Sequence, residues 1–270
     1  MFERIVLRIH KKLVGLVEIK GIILSPKPYV EQIQRFRKTP NVKAILVRVD
    51  SPGGSVAPSQ EIHEAIHRAR EVKPVVASMG SVAASGGYYI ASAAEKIFAN
   101  PGTLTGSIGV AVHTRNLQQL MSKIGVENAV IKSGKFKDAG TPYRKMTERE
   151  ESYLQEVSDE IYDQFVEAVS KSRQLTQEEV QEIADGRIYT GKRAQELGLV
   201  DAIGGLETAA REAGRMVGIP EEPHVVSFRK KRRMFSQYFV QTAVRQLLSD
   251  WELETESLQG FLLLAPIRGY

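Results

Sequence analysis

Cysteine is absent from the chain. That removes a thiol nucleophile, a disulfide framework and a thiolate metal site, and it leaves the compartment open. Aromatic residues are sparse, at 7% with a single tryptophan. The net charge of +5 is mild, and no Arg/Gly-rich or aromatic-interleaved basic stripe accompanies it, so nucleic acid is not an expected partner. Long apolar runs are missing near the N-terminus. MFERIVLRIHKKLVGLVEIKG is broken by Glu3, Arg4, Arg8, Lys11 and Lys12, and its longest uncharged run is Leu13 to Val17. Neither a signal-peptide h-region nor a membrane span is expected there. The chain is expected to be soluble, or held at a membrane only from its surface.

What is present suffices for a large core: 270 residues, 42% of them hydrophobic. The longest uncharged stretch, Pro74 to Ala94, could span a bilayer by length alone. Its composition argues otherwise, because Ser78, Ser81, Ser85 and Ser92, with Gly80, Gly86 and Gly87, interrupt the apolar surface. A buried strand over Val75 to Met79, a glycine turn and a buried helix opening near Ala83 or Ala84 fit better. Ser85 then sits on the first turn of that helix. A hydroxyl beside free backbone N–H groups is what a nucleophile with an oxyanion site requires. The plainer alternative is a small-residue helix packed closely on a neighbour.

Around this stretch, strands alternate with helices, which predicts an α/β layer fold with crossover connections. Strands are expected over Leu13 to Leu24, Lys43 to Val49, around Ile97, at Val110 to Val112 and at Ala129 to Lys132. Helices are expected over Tyr29 to Arg37, Gln60 to Val72, Asn116 to Ile124, Gln177 to Ile183, Gly191 to Leu197 and Leu206 to Val217. A long charged helix begins at Thr147, with Glu150 completing a capping box. The character changes at Pro220, so residues 1–220 are read as a catalytic domain and 221–270 as an appendage. The appendage holds a basic block at 229–233, an amphipathic stretch with Phe235, Phe239 and Trp251, and an apolar tail. Its basic, aromatic face suits either an anionic membrane surface or a neighbouring protomer. The tail, Phe261 to Ala265, is expected to reach the active-site groove or to cover an oligomer interface.

Three stretches point to acyl chemistry. Asp50-Ser51-Pro52-Gly53-Gly54 is a strand end turning through glycines that can bring N–H groups to a carbonyl oxygen. Ser85-Gly86-Gly87 opens a helix, and Lys135-Phe136-Lys137-Asp138 lies in a loop. A serine needs a base. Among five histidines, His113 is the one placed for a Ser-His pair; the alternative is a lysine whose pKa is lowered by burial. Both stay open on the residues alone. His63-Glu64-Ala65-Ile66-His67 also fits the H-E-x-x-H zinc pattern, but the histidines flank the apolar face of their helix and no third ligand follows.

DSPGGS at 50–55, SMGSVAASGGYYIAS at 78–92, TLTGSIGV at 103–110, KSGKFKD at 132–138 and DGRIYTGKRAQELGLVDAIGG at 185–205 resemble signal peptide peptidase A, short form, of serine protease family S49. The resemblance covers roughly residues 14 to 218. It implies the ClpP/crotonase-like fold of repeated ββα units and a serine endopeptidase with a Ser-Lys dyad. By position it implies Ser85 as nucleophile and Lys137 as general base. Ser107 would orient the lysine, and Gly54 and Gly86 would supply oxyanion N–H groups. It further implies a homo-oligomeric ring that completes the dyad between protomers, and peptide substrates such as signal peptide remnants. No metal and no cofactor is implied. Members commonly carry an N-terminal membrane anchor, which these residues lack. An acyl-CoA enzyme of the crotonase branch and a non-catalytic scaffold are the alternatives on the same fold.

Overall fold

A computed structural model describes residues 12–219 and 222–228. Eight strands form one sheet: β1 (Leu13–Lys20), β2 (Val42–Ser51), β3 (Val75–Ala84), β4 (Lys96–Ala99), β5 (Leu104–Gly106), β6 (Ile188–Thr190), β7 (Ala202–Ile203) and β8 (Val225–Val226). The helices are α1 (Lys27–Lys38), α2 (Val56–Arg70), α3 (Gly86–Ser92), α4 (Gln118–Lys123), α5 (Glu148–Arg173), α6 (Gln177–Ile183), α7 (Gly191–Glu196) and α8 (Leu206–Arg215). The strand order is β6-β5-β3-β2-β1-β8, with β4 on β3 and β7 on β4. All pairings are parallel except β5 with β6. This is the α/β sheet of crossover units expected for a ClpP-like fold.

The near-continuous apolar runs of β1, β2 and β3 follow from burial on both faces, as parallel strands covered by helices require. On one face Ile33, Phe36, Ile62, Ile66, Tyr88 and Val169 pack over the sheet. On the other, Ala209, Ala210 and Ala213 of α8 meet Val14, Leu46 and Val76.

Strand β3 is longer than its sequence suggests, running through Val82 and Ala83 to Ala84. Its first half pairs with β4 and its second half with β5. The change of partner coincides with a register shift against β2 between Val49 and Ser51. At the bend, a methyl group on Gly80 would come within 2.6 Å of the Asp50 carboxyl carbon, so the turn requires a glycine. The extension delays the helix to Gly86 and leaves Ser85 as its N-cap.

The sheet also runs past the boundary expected at 220. Val225 and Val226 pair with Val14 and Gly15, and the Phe228 ring stacks on Phe36 at 4.6 Å. The rest of the appendage, with its basic block, aromatic helix and apolar tail, lies outside the described residues. No described helix is long and apolar enough to cross a membrane.

Between β5 and α5 the chain leaves the body of the fold. No residue from 109 to 147 is buried, and α4 buries none of its side chains. Leu120, Ile124, Val130 and Ile131 are all exposed there. The strands expected at 110–112 and 129–132 do not form: their apolar residues find no neighbouring strand.

Candidate active site

The register of β3 with β5 builds the site. Ala84 pairs with Gly106, and the Ser85 N–H donates to the Gly106 carbonyl at 2.9 Å, so the next residues along, Ser85 and Ser107, enter the same space. Thr105 reinforces the pairing by donating its hydroxyl to the Ala83 carbonyl at 2.7 Å. Behind Ser85, helix α3 is anchored by Tyr88, which is fully buried and donates its hydroxyl to the Leu199 carbonyl at 3.1 Å.

Both serines hold unusual backbone conformations. Ser85 has φ 52° and ψ −124°, and Ser107 has φ 49°. Among the described residues, Gln174, at the C-cap of α5, is the one other non-glycine residue with positive φ. A serine held there costs of order 1–3 kcal/mol, which the surrounding structure must supply. Such strain concentrates where a side chain has to be presented rather than packed.

The two serines line a cavity of about 670 Å³ together with Gly54 and Gly86. A side chain on Gly54 would collide with the Ile23 backbone, its Cβ coming within 2.2 Å of the Ile23 carbonyl oxygen. The glycine turn can therefore lie against the Ile23 backbone and pair with it. A methyl on Gly86 would come 3.4 Å from the Gly54 nitrogen. The two glycine amides thus lie on the same side of the serine. Gly86 is the first helical residue of α3, where the N–H has no intrahelical partner.

The opposite wall comes from α5, through Gln155, Ser158, Tyr162 and Phe165, and from Asp185 with Gly186. The sequence reading missed this wall. The signal was present in the spacing of Ser158, Tyr162, Phe165 and Val169 along one helical face, but it looks the same as a core stripe.

Neither proposed base reaches the cavity within one chain. Lys137 is exposed on a turn closed by its own N–H to the Gly134 carbonyl at 3.3 Å, and it does not line the cavity. His113 is exposed on the same excursion, in no strand. What is ordered is the residue beside Lys137. Asp138 accepts hydrogen bonds from Lys132 and from Arg144, the latter at 3.0 Å. The Arg144 guanidinium also pairs with the buried Glu150, with Nη1 to Oε2 at 2.8 Å. Glu150 closes the capping box of α5 by accepting from the Thr147 N–H at 3.0 Å. Hydrogen bonds from Arg144, then from Lys132, hold Asp138 well below the usual carboxylate range. Arg144, then the Thr147 backbone, lower Glu150 to about 2.

His63 and His67 line a second cavity, with Glu64 between them in sequence. Among the described residues no three His, Asp or Glu side chains gather as a metal-binding set.

Comparison with known proteins agrees with the geometry. The family model for peptidase family S49 matches residues 67–219, and that for Clp protease matches residues 27–106. A Synechocystis sp. protein named as a candidate protease is 44% identical over 77% of this chain and 76% of its own length. A candidate signal peptide peptidase SppA of Enterococcus faecium is 41% identical over 67% of this chain and 53% of its own. The chloroplastic serine protease SPPA of Arabidopsis thaliana is 37% identical over 76% of this chain and 31% of its own. The chain thus spans three quarters, about half and about a third of these relatives.

Proposed function

Since the chain belongs to peptidase family S49, a family of serine peptidases, we propose that it cleaves apolar peptides, signal peptide remnants among them, through a Ser85–Lys137 dyad. The uncharged Lys137 amine takes the Ser85 proton as Oγ attacks the scissile carbonyl. The Gly54 and Gly86 N–H groups hold the oxyanion that forms. The lysine ammonium then returns its proton to the leaving amine, giving an acyl-enzyme and a free amine product. Water, deprotonated by the same amine, releases the acid. Ser107 orients the lysine. The observation that carries this reading is the strained Ser85 backbone at a cavity it shares with Ser107, Gly54 and Gly86.

Because Lys137 stands on the exposed excursion rather than in its own chain's cavity, the dyad is completed by a second copy, in a homo-oligomeric ring. Contact with a neighbour would also bury the lysine, and burial lowers its pKa toward the working range. The test is digestion of a signal peptide library by wild type, Ser85→Ala, Lys137→Ala and His113→Ala, read by mass spectrometry. Loss of cleavage in the first two variants and its retention in the third is the expected pattern. Loss in His113→Ala with retention in Lys137→Ala would make histidine the base. Full cleavage by Ser85→Ala would end the serine reading altogether.

A further inference from the structure

The cavity beside Ser85 adjoins the second one, of about 450 Å³, and Gln60 and Tyr89 line both. Tyr89 stands one helical turn after Ser85 and donates its N–H to the Ser85 carbonyl at 2.9 Å. Its ring is half-buried between two others: edge-on to Phe165 at 5.0 Å on one side, tilted against His63 at 4.7 Å on the other. Gln60 bonds the phenol and also donates to the Gln164 side chain at 2.9 Å, so the partition is braced from α5. Beyond it, the second cavity is polar, with Glu64, His67, Arg70 and Lys171 in its lining.

An aromatic side chain in a core is normally backed by packed atoms. This one has a void on its far side. His63, its backing, keeps an Nε2 that is buried without a hydrogen-bond partner, the one such side-chain atom among the described residues. Burial, with His67 adding to it, pushes His63 down to about 4, so the imidazole is uncharged at neutral pH. The depth of the cavity beside Ser85 is therefore set by a single ring and not by the body of the fold.

We propose that Tyr89 is a specificity-determining residue: its ring closes off the second cavity and limits the peptide side chain received beside Ser85 to small or medium size. The inference rests on Ser85 being the nucleophile. Removing the ring joins the two cavities and adds polar groups at the far end, so long side chains, polar ones included, become acceptable.

The experiment uses full-length protein and two peptide series, one varied at the residue before the scissile bond and one at the residue after it, each carrying Ala, Leu, Trp or Arg. The readout is the ratio of kcat/KM for Trp or Arg to that for Ala. Tyr89→Ala should raise this ratio at one of the two positions by about tenfold or more, the scale of pocket-size discrimination. Tyr89→Phe, which keeps the ring, should leave it near the wild-type value, and Tyr89→Trp should lower it. Wild-type ratios in both Tyr89→Ala and Tyr89→Trp would overturn the inference, as would a uniform loss of rate without a change of ratio. If Tyr89→Ala does not fold, the Trp and Phe variants decide alone. Ser85→Ala is run beside them: cleavage by that variant would remove the nucleophile the inference starts from, whereas an inactive Ser85→Ala with unchanged ratios would remove only the role of Tyr89.

Discussion

Ser85 was legible before any coordinates because its neighbours are so small: a hydroxyl followed by Gly86 and Gly87 has little packing value. Its backbone geometry was not legible, since nothing in the residue types of 83–85 announces a positive φ on a serine. That geometry gives a test independent of catalysis. Glycine adopts φ 52° without steric cost, while alanine retains the penalty of an L side chain. Ser85→Gly should therefore be more stable than Ser85→Ala by about 1 kcal/mol in denaturant midpoints, although neither variant cleaves peptide. Equal midpoints would mean that position 85 stores no strain. At Ser107 the expected change is kinetic. Ser107→Ala should lower kcat while leaving the ranking of substrates unchanged, because its hydroxyl faces the base and not the peptide. A reordered substrate ranking would assign Ser107 to recognition instead.

Helix α5 shows what can and cannot be read at the level of an element. The Thr147 to Glu150 capping box was plain in the sequence, because side-chain spacing alone specifies it. The Arg144 bridge from Glu150 to Asp138 was not, since it joins a helix terminus to a loop that no periodicity describes. Short strands were missed for a related reason: β6, β7 and β8 have two or three residues each, too few to carry an alternation. The reverse error came from Ala129 to Lys132, whose apolar residues resemble a strand but are exposed with no strand beside them. The cap itself predicts a pH effect. Glu150 titrates at about 2 in the folded chain against an ordinary 4.5, so its contribution to stability is complete above about pH 4.5. It is lost as pH falls from there toward 2. Glu150→Gln should flatten the stability profile in that window, measured as denaturant midpoint against pH, and an unchanged slope would place the acid sensitivity elsewhere. Thr147→Ala, which removes the hydroxyl of the cap, should cost about 1 kcal/mol at neutral pH.

For the whole molecule, the sheet order and the two-sided core follow from strand hydrophobicity, and the fold class was correspondingly clear. The excursion from 109 to 147 is different, because nothing in its own chain covers it. If Lys137 of one copy serves Ser85 of another, Ser85→Ala and Lys137→Ala are each inactive alone but complementary. Mixing them under conditions that allow subunit exchange should restore measurable peptide cleavage, since some interfaces then pair an intact serine with an intact lysine. No recovery, with exchange verified by mass, would confine each dyad to one chain. The uncovered excursion then acquires a further meaning. A freshly made single chain carries a hydrophobic, unfinished edge in place of a working blade, and it cannot harm the proteins it is born among. The number of competent sites climbs faster than the amount of protein, so proteolysis sets in abruptly with dose and is extinguished by dilution, without any inhibitor or pro-segment to remove.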